Sequence, residues 1–189
     1  MIRYSFMLLL MVLSCCNIVC AQELNETTEL KRKLRTIKDF YQNITAGSGI
    51  WVNKLSDFDQ NDPKTFSQFI LKFKLQDSVS VRGQILGVTN SNDSIVFWDF
   101  WEFADLNGGF TRQVQRSPSG HYGIGNATYS ESNWRSEEIN FNYSNGEKGR
   151  HRSTHKMTNK NMMISISENF DDEQQKWIKS APSKWIRAK

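Results

Sequence analysis

Cysteine is nearly missing from this chain: there are three, Cys15, Cys16 and Cys20, and none after them. A disulfide scaffold is thereby excluded for everything beyond residue 21, and the folded part must be held by its core alone. Histidine is as scarce, with only His121, His151 and His155. His151 and His155 stand four apart in a stretch that reads as strand, where four steps separate them by about 13 Å, too far to share one ion. No metal is expected. An excess of one charge is lacking too. The formal charge is +4, and Arg3 would leave with the leader described below, so the balance does not argue for nucleic acid. No run of Gly, Ser or Pro resembles an interdomain linker, and no internal repeat is visible. The G-x-S-x-G, P-loop and dinucleotide fingerprints are all missing. One domain is the economical organisation.

What is present begins with a processing segment. Arg3 supplies a positive start, Phe6–Leu13 is an apolar run too short to span a bilayer, and Val19-Cys20-Ala21 offers small residues before Gln22. Residues 1–21 read as a signal peptide, which predicts a secreted or periplasmic protein with no integral membrane span in the mature chain. Cys15 and Cys16, following Val12-Leu13-Ser14, could serve instead as a lipid-attachment signal. Residues 22–44 follow a helical period. Leu30, Leu34, Ile37 and Tyr41 share one face, and Lys31, Arg32, Lys33, Arg35 and Lys38 fill the others. Such a helix either docks its apolar stripe on the domain or lies on an anionic membrane surface. Ala46-Gly47-Ser48-Gly49 then breaks it.

From residue 45 to 189 the period is two. The densest stretch, Ile95-Val96-Phe97-Trp98-Asp99-Phe100-Trp101-Glu102-Phe103, sends rings to both faces, so it predicts a central strand covered on both sides, with Trp101 buried. Further strand signals lie at 69–76, 79–88, 110–116, 122–129, 139–143, 148–157, 162–167 and 184–187. Asn-Gly, Ser-Pro-Ser-Gly and related turns separate most of them. Many short strands joined by hairpins predict a mainly β chain, an antiparallel up-and-down sheet that closes on itself and removes its edges.

The helix, Gly49-Ile50-Trp51, Trp98 with Trp101-Glu102-Phe103, Asn107-Gly108-Gly109 and Ser119-Gly120-His121-Tyr122-Gly123-Ile124-Gly125 together resemble the calycin-like (lipocalin-like) β-barrels. The secreted bacterial proteins of the DUF1579 kind are the nearest in pattern. The resemblance spans most of residues 45–189 and implies eight to ten strands around a central cavity. The histidines do not match the haem-binding nitrobindin branch of such barrels, so no cofactor is expected.

Hairpin geometry turns the strands into a candidate site. The Asn107-Gly108 turn sets Phe103 against Arg112, Trp101 against Val114 and Asp99 against Arg116. A simple turn at Ser117–Gly120 would set Arg116 against His121, Val114 against Gly123 and Arg112 against Gly125. One face then carries Asp99, Trp101, Phe103, Arg112, Arg116, His121, Gly123 and Gly125. It is either a cavity wall with an arginine anchor for a small, largely apolar ligand, or a bend where rings lie over glycines. A further turn at Asn145-Gly146 would place Arg150 opposite Phe141 and Arg152 opposite Ile139, with Lys148, Arg150, Arg152 and Lys156 forming a basic strand face. Two alternative readings are an enzyme on an NTF2-like curved sheet, with Asp99, Glu102 or a histidine as base, and a protein-interaction module using the basic strand. Five N-x-S/T triplets (Asn25, Asn43, Asn92, Asn126, Asn142) would matter only in a glycosylating secretory pathway.

Export predicts a mature chain that starts at Gln22. N-terminal sequencing and intact mass of the natively exported protein check this; a diacylated Cys15 or Cys16 would replace the soluble form with a tethered one.

Overall fold

The structure, a computed structural model, describes residues 26–56 and 59–189. The leader at 1–21, with the alternative lipid sites Cys15 and Cys16, lies outside them. Residues 26–45 form the helix α1. Eleven strand segments follow: β1 (Ile50–Lys54), β2 (Phe66–Asp77), β3 (Ser80–Thr89), β4 (Ser94–Asp105), β5 (Phe110–Arg116), β6 (Tyr122–Glu131), β7 (Trp134–Asn142), β8 (Lys148–Asn159), β9 (Met162–Asp171), β10 (Lys176–Lys179) and β11 (Ser183–Arg187). Every ladder is antiparallel. β2 to β9 pair each with the next, β11 joins β9 to β1, and β1 pairs with β2, so the sheet closes. β10 and β11 pair with successive halves of β9 on one edge, and together act as a last stave interrupted at 180–182. Pro182, with no N–H to donate, lies in that gap. The result is a closed ten-strand up-and-down barrel with one N-terminal helix. A cone-shaped NTF2-like sheet is not what the described residues form.

α1 plugs one end. Ile37, Phe40, Tyr41 and Ile44 are at most 3 % exposed, packed with Trp51, Leu71, Val81, Met157, Met163 and Trp185 from six strands. The apolar stripe therefore docks on the barrel. The helix ends at Gly47, whose φ of +65° suits a C-terminal cap. Arg187 completes that end: it donates to the carbonyls of Asn43, Ala46 and Lys160, and its guanidinium lies 4.2 Å from the Trp51 ring. A cation at a helix C-terminus also opposes the negative end of the helix dipole.

Two expected registers shift by one residue. β4 and β5 pair as expected, with Phe103↔Arg112, Trp101↔Val114 and Asp99↔Arg116. Between β5 and β6, however, Arg116 meets Tyr122, Gln115 meets Gly123 and Gln113 meets Gly125. Between β7 and β8, Phe141 meets Gly149, Ile139 meets His151 and Arg150 meets Asn140. The cause is the same in both hairpins. Gly120 (φ +86°) and Gly146 (φ +88°) each follow a turn as an extra left-handed residue, closed by Ser117 N–H to His121 O and by Tyr143 N–H to Glu147 O. This turn-plus-bulge hairpin holds one residue more than a simple turn, and a slip of one moves every side chain to the other face.

The barrel interior accordingly receives Trp98, Phe100 and Glu102 from β4, while Asp99, Trp101 and Phe103 point outward. Trp101 is 44 % exposed, so the expected cover on that face is missing. Glycines on the inner wall serve as beds. Gly83 lies under Phe100, Gly123 under Phe141, and Gly125 against Ile139, each from the directly paired position on the next strand. Gly125 holds no cavity open.

Three substitutions separate these positions. Trp51→Ala should destabilise by about 3–5 kcal/mol, as truncation of an enclosed aromatic does. Trp101→Ala should cost about 1 kcal/mol or less, as at a surface. Gly125→Leu should cost about 1–3 kcal/mol or more, because a Cβ there would overlap the Glu138 carbonyl and Ile139, and backbone does not yield easily. Urea unfolding of the three variants tests the assignment.

Candidate functional site

The barrel interior holds charges. Glu102 on β4 is 2 % exposed and its carboxylate only accepts: from Thr111 Oγ1 at 2.7 Å, Tyr41 OH at 3.3 Å, Tyr129 OH, and Arg135 Nη2 at 2.6 Å. The same Arg135 Nη2 reaches Gln113 Oε1 and Glu137 Oε2, each at 2.7 Å. Glu137 Oε1 in turn accepts from Ser153 Oγ at 2.5 Å and lies 3.1 Å from His155 Nε2, while His155 Nδ1 is 2.8 Å from Ser165 Oγ. One chain of contacts thus runs from α1 through β4, β5, β6, β7 and β8 to β9. Alternation brings it together: Gln113, Arg135, Glu137, Ser153, His155 and Ser165 all sit at inward positions of their strands.

The electrostatics follow from burial and proximity. Burial, with Glu102 beside them, pushes both the Tyr41 and Tyr129 phenols up, so they remain donors. Burial opposes the charge on Arg135, but Glu102 and Glu137 outweigh it and hold the guanidinium protonated. Burial would raise the Glu137 carboxyl; Arg135 and the His155 hydrogen bond outweigh that and keep it well below the ordinary carboxylate range. Two carboxylates share one guanidinium, so the positive charge is already overmatched.

Against this network lies a cavity of about 60 Å³. Ile44, Leu71, Phe73, Ile85 and Phe100 form one wall, and Gln113, Gln115, Arg135, Glu137 and His155 the other. Among the described residues, the Gln115 amide has no hydrogen-bond partner although the residue is only 5 % exposed, and neither Gln113 Nε2 nor Arg135 Nη1 is used. These groups escape the alternation of apolar residues by which a core is read from sequence. Their signal was the run Thr111, Gln113, Gln115, polar on the face that turned out to be inner.

The expected site residues divide. Asp99, Trp101 and Arg116 come together on the outer wall, in a groove of about 870 Å³ that spans β2 to β5. Phe103 packs against Trp101 beside it, with ring centroids 4.8 Å apart and the planes tilted by 41°. Arg112 pairs with Asp105 at 2.8 Å, away from the glycines. His121 sits at the rim of the open end, accepting from Ser144 N–H at 2.9 Å, with its ring near Trp98 and Tyr143. Gly123 and Gly125 are inside. On β8 the cations do cover rings, but different ones from those expected: Arg150 lies 3.6 Å from the Phe170 ring, Arg152 4.3 Å from Trp177 and Lys156 4.9 Å from Trp134. Among the described residues, no group of three or more His, Cys, Asp or Glu is placed to hold a metal, and no helix is long and apolar enough to cross a membrane.

Arg135→Met should leave two buried carboxylates facing each other and cost about 3–5 kcal/mol at neutral pH. For Glu137 the folded pKa is depressed, so its stabilisation is present above the unfolded carboxylate pKa and is lost as pH falls through the folded value. Glu137→Gln should therefore flatten the acid limb of the stability–pH profile. Urea midpoints taken between neutral pH and the acid end measure both effects. No protein-family model matches the chain and no curated protein matches it, so the calycin-like likeness rests on the closed antiparallel barrel, and neither a lipocalin nor a DUF1579 assignment gains support.

Proposed function

We propose that this barrel binds a small uncharged molecule, with an apolar body and a hydrogen-bond-accepting head, in the cavity beneath α1. The observation that carries the reading is the Gln115 amide, which lines the cavity without a protein partner beside the spare donors of Gln113 and Arg135; among the described residues the fully enclosed side-chain polar atom without a partner is a different one, Trp185 Nε1. Buried polar groups without partners cost free energy, and a cavity lined by them favours an occupant that satisfies them. Phe73 and Phe100 opposite would receive the apolar body. The head is uncharged because Glu102 and Glu137 already overmatch Arg135, so a carboxylate would meet net repulsion. The size is bounded as well: 60 Å³ admits about four waters, or a ketone of a few carbons. Export through the leader belongs to the same proposal.

The test is an NMR titration with butanone, butanoate and heptan-2-one. Butanone should give saturable shifts at the Gln113 and Gln115 side-chain amides, with butanoate and heptan-2-one weaker. Gln115→Leu should weaken butanone about tenfold, the worth of one hydrogen bond made in a dry site. Trp101→Ala, on the outer wall, should leave it unchanged. Absence of saturable shifts, or equal affinity for butanoate, would overturn the proposal.

A further inference from the structure

The outer groove has chemistry of its own. Two rows of side chains cross β2 to β5: Lys72, Gln84, Asp99 and Arg116 in one, Lys74, Arg82, Trp101 and Val114 in the other. All eight line the groove. Lys74 and Arg82 are directly opposed across an antiparallel ladder, an arrangement that destabilises a sheet. Among the described residues neither Lys72, Lys74, Arg82 nor Arg116 makes an ion pair, although Asp99 stands directly across the ladder from Arg116, whereas Arg112 on β5 and Arg152 on β8 do. The Lys74–Arg82 opposition has no carboxylate to offset it inside the molecule, and such a broken local rule points to something outside it. Arg82 lies 5.9 Å from the Trp101 ring, which presents a flat, half-exposed surface at the centre of the groove. Asp99 accepts from Gln84 Nε2 at 2.7 Å and supplies hydrogen-bond acceptors in the midst of cations.

We propose that this groove is a binding site for an acidic oligosaccharide, one carrying carboxylate or sulfate groups. Strand geometry sets the span. Lys72 and Lys74 are two steps apart, about 7 Å, and Arg116 stands three strands away, about 14 Å. The cations thus form a trio at one side and a single charge at the other, with Trp101 between them. That spacing fits anionic groups on successive sugars, with a sugar face resting on the indole. Asp99 and Gln84 offer the paired acceptor and donor that hydroxyls need. Single-stranded nucleic acid fits less well, because its binding uses a succession of stacking rings and this groove exposes one. The groove shares Phe73, Phe100 and Gln115 with the cavity under α1, but its argument uses none of the three, and neither proposal rests on the other.

The test is calorimetry of the full mature chain with a uronate tetrasaccharide and a sulfated tetrasaccharide, at two salt concentrations. Binding to at least one is expected, weakened by salt. Lys74→Glu should reduce affinity at least about tenfold, the loss of a charge-assisted contact, while raising the melting temperature, because it turns a like-charge pair into an ion pair. Trp101→Ala should reduce affinity with little change in melting temperature, and Trp101→Phe should restore part of it. A merely structural role for Lys74 would not move stability and binding in opposite directions. The proposal is overturned if neither tetrasaccharide binds, or if the variants bind as the parent does. It is equally overturned if inorganic sulfate, anionic phospholipid vesicles or a single-stranded oligonucleotide binds as tightly as the tetrasaccharide.

Discussion

The guanidinium of Arg135 is the point at which this barrel would come apart. It lies between Glu102 and Glu137, and through them it is joined to Tyr41 on the helix, Thr111 and Gln113 on β5, Tyr129 on β6, and His155 with Ser153 on β8. Everything else in the interior is arranged so that this buried charge is tolerable. The helix must sit where Tyr41 can reach Glu102, and β5 must turn its polar side inward to offer Gln113. Removing one partner from such a network leaves charges without compensation, whereas an apolar replacement of the whole set could be tolerated. Through Tyr41 the network adds one polar contact to the apolar docking of α1 on the barrel.

Much of the architecture was legible in the sequence because it depends on period. The helical stripe ending in Ile37 and Tyr41, the alternating strands and the hairpin turns each leave a local pattern, and together they imply a closed sheet. The register of β4 against β5 was also readable, since Asn107-Gly108 admits one pairing. What could not be read was the extra residue carried by Gly120 and Gly146. Ser-Pro-Ser-Gly and Ser-Asn-Gly fit a simple turn and a turn with a bulge equally well. The difference of one residue exchanges the inner and outer walls of β6 and β8 relative to their neighbours.

That exchange explains how the candidate site divided. Asp99, Trp101 and Arg116 do share a face, as the β4–β5 register requires, but it is the outer one. Gly123 and Gly125 belong to the inner wall, where they bed Phe141 and Ile139. The polar inner residues Gln113, Gln115, Arg135 and Glu137 were hidden for a complementary reason. A buried ion network looks, in sequence, like ordinary solvent-facing alternation. Only knowledge of the face distinguishes the two.

The seam where β1 meets β11 has a consequence for the order in which the molecule can be made. Trp51 pairs with Arg187, Ala188 N–H donates to Ile50 O, and Arg187 also clasps the end of α1. The first strand therefore finds one of its two neighbours only when β11 arrives. Until then β1 exposes a free edge, and the helix end lacks its clasp. Such a long-range closure makes completion of the barrel a late event on the folding pathway, because most of the described chain separates β1 from β11. During synthesis, until β11 emerges, the sheet is open with an unpaired edge, the form most prone to pair with another copy. A chaperone that held the chain until β11 emerged would be shielding this one seam.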